Sequence, residues 1–286
     1  MEESKQSPQD SDRNDQNQKD TSLERIDHSL NFTIVGIGAS AGGLEALQEF
    51  FKNMPEEPGA AFVIVQHLSP DYKSLMDELL SRYTKMEIHR VSDGMNLQPN
   101  HIYLITPGKN MTIFQGKLFL TEQDTSRAMN MPIDIFMRSL AQDQGKNAVG
   151  IILSGTGSDG TLGIRAIKEH SGMVMSQDDR SAKFDGMPRS TISTGMVDYI
   201  ITPGEMPEAL VNYIKHPFIQ KTVKIENQIS QDEDYLSKII MIIREATGID
   251  FSNYKESTII RRLEKRISIN RYDKIEDYVT FITDNK

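Results

Sequence analysis

The feature that most constrains the fold of this chain is an apolar run that ends in a glycine-rich turn and continues into an amphipathic helix. The run covers residues 32–37, the turn is Gly38-Ala39-Ser40-Ala41-Gly42-Gly43, and the helical pattern covers residues 44–51. Strand, turn and helix in this order form the repeating unit of parallel sheets. Because the same alternation continues to about Lys215, we predict an α/β fold with a doubly wound, mainly parallel sheet.

The alternation predicts eight strands and six helices. Residues Gln115-Gly116-Lys117 are typical of a hairpin turn, so we expect one part of the sheet to be antiparallel. The predicted strands are 33–37, 61–66, 101–105, 111–115, 118–121, 148–154, 173–176 and 199–201, and the predicted helices are 43–52, 74–83, 132–144, 160–170, 190–194 and 207–213.

The flanking segments have a different composition. Residues 1–30 are polar and charged, which predicts a disordered tail, and residues 216–231 are expected to be a linker. Residues 232–286 carry Ile, Leu and Tyr at spacings of three and four without strand-like runs. This periodicity predicts a small all-α C-terminal domain behind the α/β domain of residues 31–215.

Composition excludes several classes of function. The chain of 286 residues has no cysteine, which rules out disulfides and thiolate chemistry and favours a reducing compartment. Its formal net charge of -9 disfavours nucleic acid as a partner. No apolar run reaches the length of a membrane span, and Met1 does not open a signal peptide. We therefore expect a cytoplasmic protein without membrane insertion.

Ser40 lies where an exposed nucleophile would be expected. Small neighbours leave room for a substrate carbonyl, and the following helix begins with backbone N–H donors. A serine also needs a base, usually histidine. His67 directly follows the strand 61–66 and therefore shares the carboxyl edge of the sheet with Ser40, whereas His101 begins a strand on the opposite edge. The remaining histidines are His28, His89, His170 and His216.

A carboxylate is predicted at the same edge. Asp159 lies in a second glycine-rich loop, residues 154–160, behind the apolar run 149–153. Ser40, His67 and Asp159 are therefore the candidate catalytic triad. Backbone amides near Ala41 and Thr156 are expected to stabilise an oxyanion. Because the histidines are scattered and no H-E-x-x-H helix is present, we expect no metal, and the mechanism requires no cofactor.

A dinucleotide-binding fold remains an alternative. Residues 36–41 fit G-x-G-x-x-A, and residues 155–160 fit G-x-G-x-x-G. The first copy lacks the acidic residue expected at the end of the next strand. The second copy is followed by Asp178 and Asp179 at about the position of a ribose contact.

Five segments in the same order resemble the catalytic domain of bacterial chemotaxis methylesterases of the CheB type: 37–43, 65–67, 105–108, 147–160 and 184–188. The resemblance implies that Ser40, His67 and Asp159 form the triad of that family. It also implies hydrolysis of γ-glutamyl methyl esters, with possible deamidation of glutamines, on the cytoplasmic helices of methylated chemoreceptors. Within the last segment, Met187 and Pro188 are expected to shape a substrate groove.

The C-terminal residues 243–255 and 258–267 are similar to the N-terminal helical domain of chemotaxis methyltransferases of the CheR type. The resemblance implies that a basic helix contacts acidic receptor helices. It further implies a piece of a CheB and CheR fusion, without the S-adenosylmethionine-binding domain and so without methyltransferase activity. A non-catalytic receptor-docking module of such a fusion is a second alternative. The basic residues predicted to crowd one helix face are Arg261, Arg262, Lys265 and Arg266.

Overall fold

The computed structural model describes residues 30–67, 75–123, 130–215, 233–249, 251, 256–270, 272 and 274–285. The predicted disordered tail, except for Leu30, and the predicted linker lie outside the described residues. None of the helices in the described ranges is both long enough and apolar enough to cross a membrane.

Ten strands and nine α-helices are described. The strands are β1 Thr33–Ala39, β2 Ala60–Gln66, β3 Glu87–Arg90, β4 Met95–Asn96, β5 His101–Leu104, β6 Lys109–Phe114, β7 Lys117–Glu122, β8 Ala148–Ile152, β9 Met173–Gln177 and β10 Tyr199–Ile201. The helices are α1 Gly43–Lys52, α2 Met76–Leu80, α3 Pro132–Gln144, α4 Thr161–Glu169, α5 Gly186–Ile192, α6 Met206–Lys215, α7 Glu233–Thr247, α8 Glu256–Ile269 and α9 Ile275–Asp284.

Seven strands form one parallel sheet in the order β10-β9-β8-β1-β2-β5-β3. The chain moves outward from β1 through β2 on one side and later adds β8, β9 and β10 on the other. Gly38 of β1 lies between Val65 of β2 and Ile152 of β8. The predicted doubly wound α/β fold is confirmed, and the strand order reverses between β1 and β8, which is where such sheets bind ligands.

The predicted hairpin forms, but its assignment to the main sheet is wrong. Strands β6 and β7 pair with β4 in a separate three-stranded antiparallel sheet, in the order β4-β7-β6. Met111, Ile113 and Leu118 are buried in the same core cluster as the apolar face of α3. The N–H of Ile113 donates to the Oγ of Ser139, which lies in α3. The hairpin therefore extends the core beyond the main sheet.

Helices cover both faces of the main sheet. One core contains Phe50 and Phe51 of α1 packed edge-on around Phe62 of β2. The other core contains Phe136 of α3. The C-terminal helices α7, α8 and α9 share a third core, as the predicted all-α segment requires, made of Leu236, Ile239, Ile260, Leu263, Ile267 and Tyr278.

The turn between β1 and α1 requires glycine at two adjacent positions. Gly42 has a φ of +72°, in the left-handed region that favours glycine. At Gly43, an added Cβ would lie 2.6 Å from the Cβ of Ala39. The first turn of α1 therefore lies directly against the end of β1, which fixes the path of the chain through Ser40.

We predict that Gly43→Ala destabilises the protein, because the new methyl group would force α1 away from β1. The expected loss is about 1–3 kcal/mol, equivalent to a drop of roughly 2–4 °C in Tm per kcal/mol. Thermal unfolding followed by circular dichroism measures it. Gly204→Ala is the control, since its nearest contact is the flexible end of Glu49. Equal Tm values for the two variants would contradict the close contact.

Candidate active site

The carboxyl ends of three adjacent strands bring Ser40, His67 and Asp159 together. Ser40 follows β1, His67 follows β2, and Asp159 lies in the loop after β8. The Nδ1 of His67 lies 3.1 Å from the Oγ of Ser40, and its Nε2 lies 2.8 Å from the Oδ2 of Asp159. The three side chains therefore form one continuous hydrogen-bonded chain, with the imidazole in the middle.

The carboxylate of Asp159 is buried at the N-terminus of α3. Its Oδ2 accepts the N–H of Ile133 at 3.0 Å, and its Oδ1 accepts the N–H of Asp134 at 2.9 Å. The N–H of Gly160 also donates to Oδ1, at 2.9 Å. First-turn N–H groups have no partner inside their helix and stabilise negative charge. Asp159 is only 2% exposed, so these donors replace water around its charge and fix its orientation toward His67.

Asp134 binds the N-terminus of α4 in the way that Asp159 binds the N-terminus of α3. It lies in the first turn of α3, and its Oδ1 accepts the N–H of Gly163, in the first turn of α4, at 2.7 Å. Burial raises the pKa of Asp134, and the negative charge of Asp159 raises it further. Each carboxylate therefore binds the N-terminus of a neighbouring helix, and the pair joins α3, α4 and the loop that carries Asp159.

Ser154, which the sequence analysis did not single out, holds the Ser40 turn in place. Its carbonyl oxygen accepts the N–H of Ser40 at 3.0 Å, and its buried hydroxyl donates to the carbonyl of Ala41 at 2.9 Å. The same hydroxyl accepts the N–H of Phe184 at 3.0 Å. The N–H of Ser154 in turn donates to the Oε1 of Gln177 at 2.8 Å. A polar network thus connects the turn to the ends of β8 and β9.

Two backbone amides that the sequence analysis predicts as oxyanion donors lie in the loops that meet at Ser40. The N–H groups of Ala41 and Thr156 have no hydrogen-bond acceptor among the residues that the structure describes. Ala41 is half-buried and Thr156 is exposed. Between them lies Gly155, where an added Cβ would approach the Cβ of Ser40 to 2.9 Å. Glycine is therefore required for the two loops to meet.

The structure places Met187 and Pro188, which the sequence predicts to shape a substrate groove, against the glycine-rich loop after β8. Both side chains are buried, and the Sδ of Met187 would lie 2.2 Å from a Cβ added at Gly155. The N–H of Met187 donates to the carbonyl of Gly155 at 2.9 Å. The buried side chains of these two residues fill the space behind the glycine-rich loop, and this packing supports the loop. The backbone of residues 184–187 thus lies against the loop of residues 155–160, which is the second segment that fits a dinucleotide-binding pattern.

The residues predicted to form one basic face of α8 differ in their exposure to solvent. Arg262 and Arg266 are exposed, while the side chain of Arg261 lies outside the described residues. Lys265 is only 9% exposed, so its assignment to an exposed basic face is wrong. Its ammonium hydrogen-bonds the hydroxyl of Tyr213 in α6 and lies 4.5 Å from the centre of the ring.

The contact between Lys265 and Tyr213 joins α8 to the α/β unit, and a second hydrogen bond does the same. The hydroxyl of Tyr199 donates to the carbonyl of Ile269 at 2.7 Å, and Ile269 is buried in the core that contains α1 and α6. Burial lowers the pKa of Lys265 well below its ordinary value, against the opposing effect of Asp198. Burial also raises the pKa of Tyr213. The contact between α6 and α8 therefore encloses a lysine whose charged form is disfavoured by burial.

We predict that Lys265→Met removes a pH dependence from stability. Because folding lowers the pKa of Lys265, the unfolded chain binds more protons, so the free-energy cost of burying this group decreases as pH rises toward 10.5. Urea unfolding of the wild type and of Lys265→Met at pH 7 and pH 9.5 measures the effect. The variant should be the more stable by a larger margin at pH 7 than at pH 9.5.

The matched control for this experiment is Lys238→Met. Lys238 also lies over a tyrosine ring, 5.3 Å from the centre of Tyr235, but it is exposed. Its replacement should leave the pH dependence of unfolding unchanged. If the free energies of unfolding of Lys265→Met and Lys238→Met change by the same amount between pH 7 and pH 9.5, the buried contact between α6 and α8 does not exist in solution.

Comparison with known proteins shows two family matches along the chain. The family model described as CheB methylesterase matches residues 35–210. The family model described as the all-alpha domain of CheR methyltransferase matches residues 234–286. The first match covers the main parallel sheet from Val35 of β1 onward and all three residues of the hydrogen-bonded chain.

Individual relatives agree with these matches. An uncharacterized 104.1 kDa protein of Rhodobacter capsulatus is 32% identical over 231 residues, which are 74% of this chain and 24% of that protein. A protein-glutamate methylesterase/protein-glutamine glutaminase of Pyrococcus horikoshii is 30% identical over 186 residues, covering 63% of this chain and 50% of that protein. The chain thus spans a half or less of the length of these two relatives.

A solved structure shares the fold. The crystal structure of the Thermotoga maritima CheB methylesterase catalytic domain matches with a TM-score of 0.58 and 29% sequence identity. The match covers 64% of this chain and 98% of that domain.

Proposed function

Because the chain belongs to the CheB methylesterase family, we propose that it is a serine hydrolase that cleaves glutamate methyl esters on chemoreceptors. The observation that carries the proposal is the hydrogen-bonded chain from Ser40 through His67 to Asp159. An activated serine requires a base within hydrogen-bond reach and a third group that orients the base. Both contacts lie at the carboxyl edge of the sheet beside its switch point, where α/β proteins bind their ligands, and this supports the proposal.

The acylation step follows from the orientation of the imidazole. Since the buried carboxylate of Asp159 accepts the Nε2–H of His67, the lone pair of the ring is on Nδ1 and faces the Oγ of Ser40. His67 takes the hydroxyl proton as Oγ attacks the ester carbonyl. Asp159 stabilises the imidazolium that forms, and the N–H groups of Ala41 and Thr156 donate to the oxyanion.

The tetrahedral intermediate then collapses. His67 returns its proton to the leaving methoxide, which departs as methanol and leaves a γ-glutamyl ester on Ser40. A water molecule attacks this acyl-enzyme, with its proton going to Nδ1 of His67 and then to the Oγ of Ser40. A glutamine side chain would pass through the same acyl-enzyme with ammonia as the leaving group. The proposal therefore includes glutamine deamidation at the same site.

We further propose that the receptor contacts the exposed basic residues of the C-terminal helical unit. Arg262 and Arg266 lie one turn apart on α8 and are both exposed. Receptor segments that carry glutamates present negative charge, which these side chains complement. Their contribution should weaken with added salt, since exposed charges are screened.

We predict that Ser40→Ala lowers methanol release from methylated chemoreceptor membranes by at least about a thousandfold. The physical reason is that Ser40 supplies the oxygen that forms the acyl bond. Release of methanol from receptors bearing labelled methyl groups measures the reaction directly. Binding to the same membranes, measured by sedimentation, should be unchanged because Ser40 is not a docking residue.

Ser193→Ala is the matched control, because Ser193 is exposed and its hydroxyl donates only to the backbone of Arg189. This variant should retain wild-type turnover. Turnover that survives in Ser40→Ala would remove Ser40 from the role of nucleophile. Membrane binding without turnover in the wild-type chain would instead identify a docking module.

A further inference from the structure

A second cluster of titratable side chains lies at the opposite edge of the main sheet from Ser40. Glu87 and His89 belong to β3, and His101 begins β5 beside them. The register pairs Glu87 with His101 and His89 with Tyr103. Residues two apart on a strand share one face, so all three side chains lie on the same side of the sheet. Both strands start here, so the cluster is at the amino edge and is separate from the candidate active site.

The donor atoms of the three side chains converge. The Nε2 of His89 and the Nε2 of His101 lie 3.5 Å and 3.7 Å from the same oxygen, the Oε2 of Glu87. These distances are longer than a hydrogen bond. They are close to the separation of about 3.3 Å between neighbouring ligands of a tetrahedral zinc ion. One potential ligand atom from each residue lies within 4.8 Å of the other two.

The ring of His101 is fixed in the tautomer that a metal needs. Its Nδ1 lies 2.8 Å from the carbonyl oxygen of Pro99, which can only accept a hydrogen bond. In the neutral ring the proton is therefore on Nδ1, and the lone pair of Nε2 faces Glu87. Histidines that bind metals commonly donate their other ring N–H to a backbone carbonyl in this way.

Packing holds the two rings in place without an ion. The rings of His89 and His101 stack with centres 5.3 Å apart and planes 18° from parallel. The ring of Tyr103 stacks on His89 at 5.5 Å. The side chain of Glu87 is 74% exposed, so one side of the cluster remains open to water. An ion bound here would complete its coordination with solvent.

We propose that Glu87, His89 and His101 bind one divalent transition-metal ion of the zinc class. Imidazole nitrogen with carboxylate oxygen is a donor set that suits Zn²⁺ and does not suit Mg²⁺, which prefers oxygen ligands. The ion would join β3, the edge strand of the sheet, to β5 through side chains. Its function is therefore to stabilise that edge, and it takes no part in chemistry at Ser40.

The test is a zinc titration of the chelator-treated chain in competition with a chromophoric zinc indicator. The wild type should bind one equivalent of Zn²⁺, and His101→Gln and Glu87→Gln should each weaken binding by at least about tenfold. His170→Gln is the matched control, since the Nδ1 of His170 also bonds a backbone carbonyl, that of Ala166, but His170 is not part of the cluster. It should bind zinc as the wild type does.

Two further measurements make the result decisive. Zn²⁺ should raise the Tm of the wild type and of His170→Gln but not of His101→Gln, because it binds only the folded cluster, whereas Mg²⁺ should raise none of them. Equal Tm values of all variants without metal show that they fold. No zinc binding by the wild type below about 100 µM, a concentration at which a three-ligand site should be occupied, would overturn the proposal. Loss of binding in His67→Gln instead of His101→Gln would also overturn it, by assigning the ion to the candidate active site.

Discussion

The arrangement of the candidate active site depends on one buried carboxylate at a helix N-terminus. Asp159 accepts N–H groups from the first turn of α3 and simultaneously receives the Nε2–H of His67. The helix thus supplies the solvation that burial removes, so the charge can remain within a low-dielectric site. A carboxylate held by fixed backbone donors cannot rotate away, which in turn fixes the ring of His67 relative to Ser40. The geometry of the candidate active site is therefore a consequence of where α3 begins.

Two different kinds of contact complete this arrangement. Glycines allow the loops after β1 and β8 to approach one another, as the contact of Gly155 with Ser40 shows. The buried hydroxyl of Ser154 then binds the turn from below through the carbonyl of Ala41. Close approach and polar attachment are both needed, because a turn with room to move would not keep Oγ at hydrogen-bond distance from the imidazole. The parallel sheet provides the common edge on which both loops begin.

Much of the fold and the hydrogen-bonded triad could be predicted from the sequence, because each follows from local patterns. A buried parallel strand has a continuous apolar run, and its carboxyl end is visible as a glycine-rich loop, so Ser40, His67 and Asp159 could be assigned to one edge. Helices α1 and α3 begin and end where their patterns predict. The domain limits stay a prediction, since the predicted linker lies outside the described residues.

The rest could not be predicted because it depends on contacts between distant segments. A separate sheet for the hairpin arises from packing of Ile113 against α3, which a turn signal cannot reveal. Burial of Lys265 depends on Tyr213, 52 residues earlier in the chain. The stacking of His89 on His101 depends on the register of β3 and β5, which pairs Glu87 with His101, so histidines scattered in sequence are neighbours in space. The only sequence signal for that cluster is the alternation of Glu87 and His89 on one strand face.

The central claim is that Ser40 is a nucleophile activated by His67, and covalent trapping tests it most directly. The chain would be treated with a fluorophosphonate, and the modified peptide would be located by mass spectrometry. We predict one adduct per chain at Ser40, formed much more slowly in His67→Gln. An adduct at another serine, or equal labelling of Ser40 in the two proteins, would contradict it.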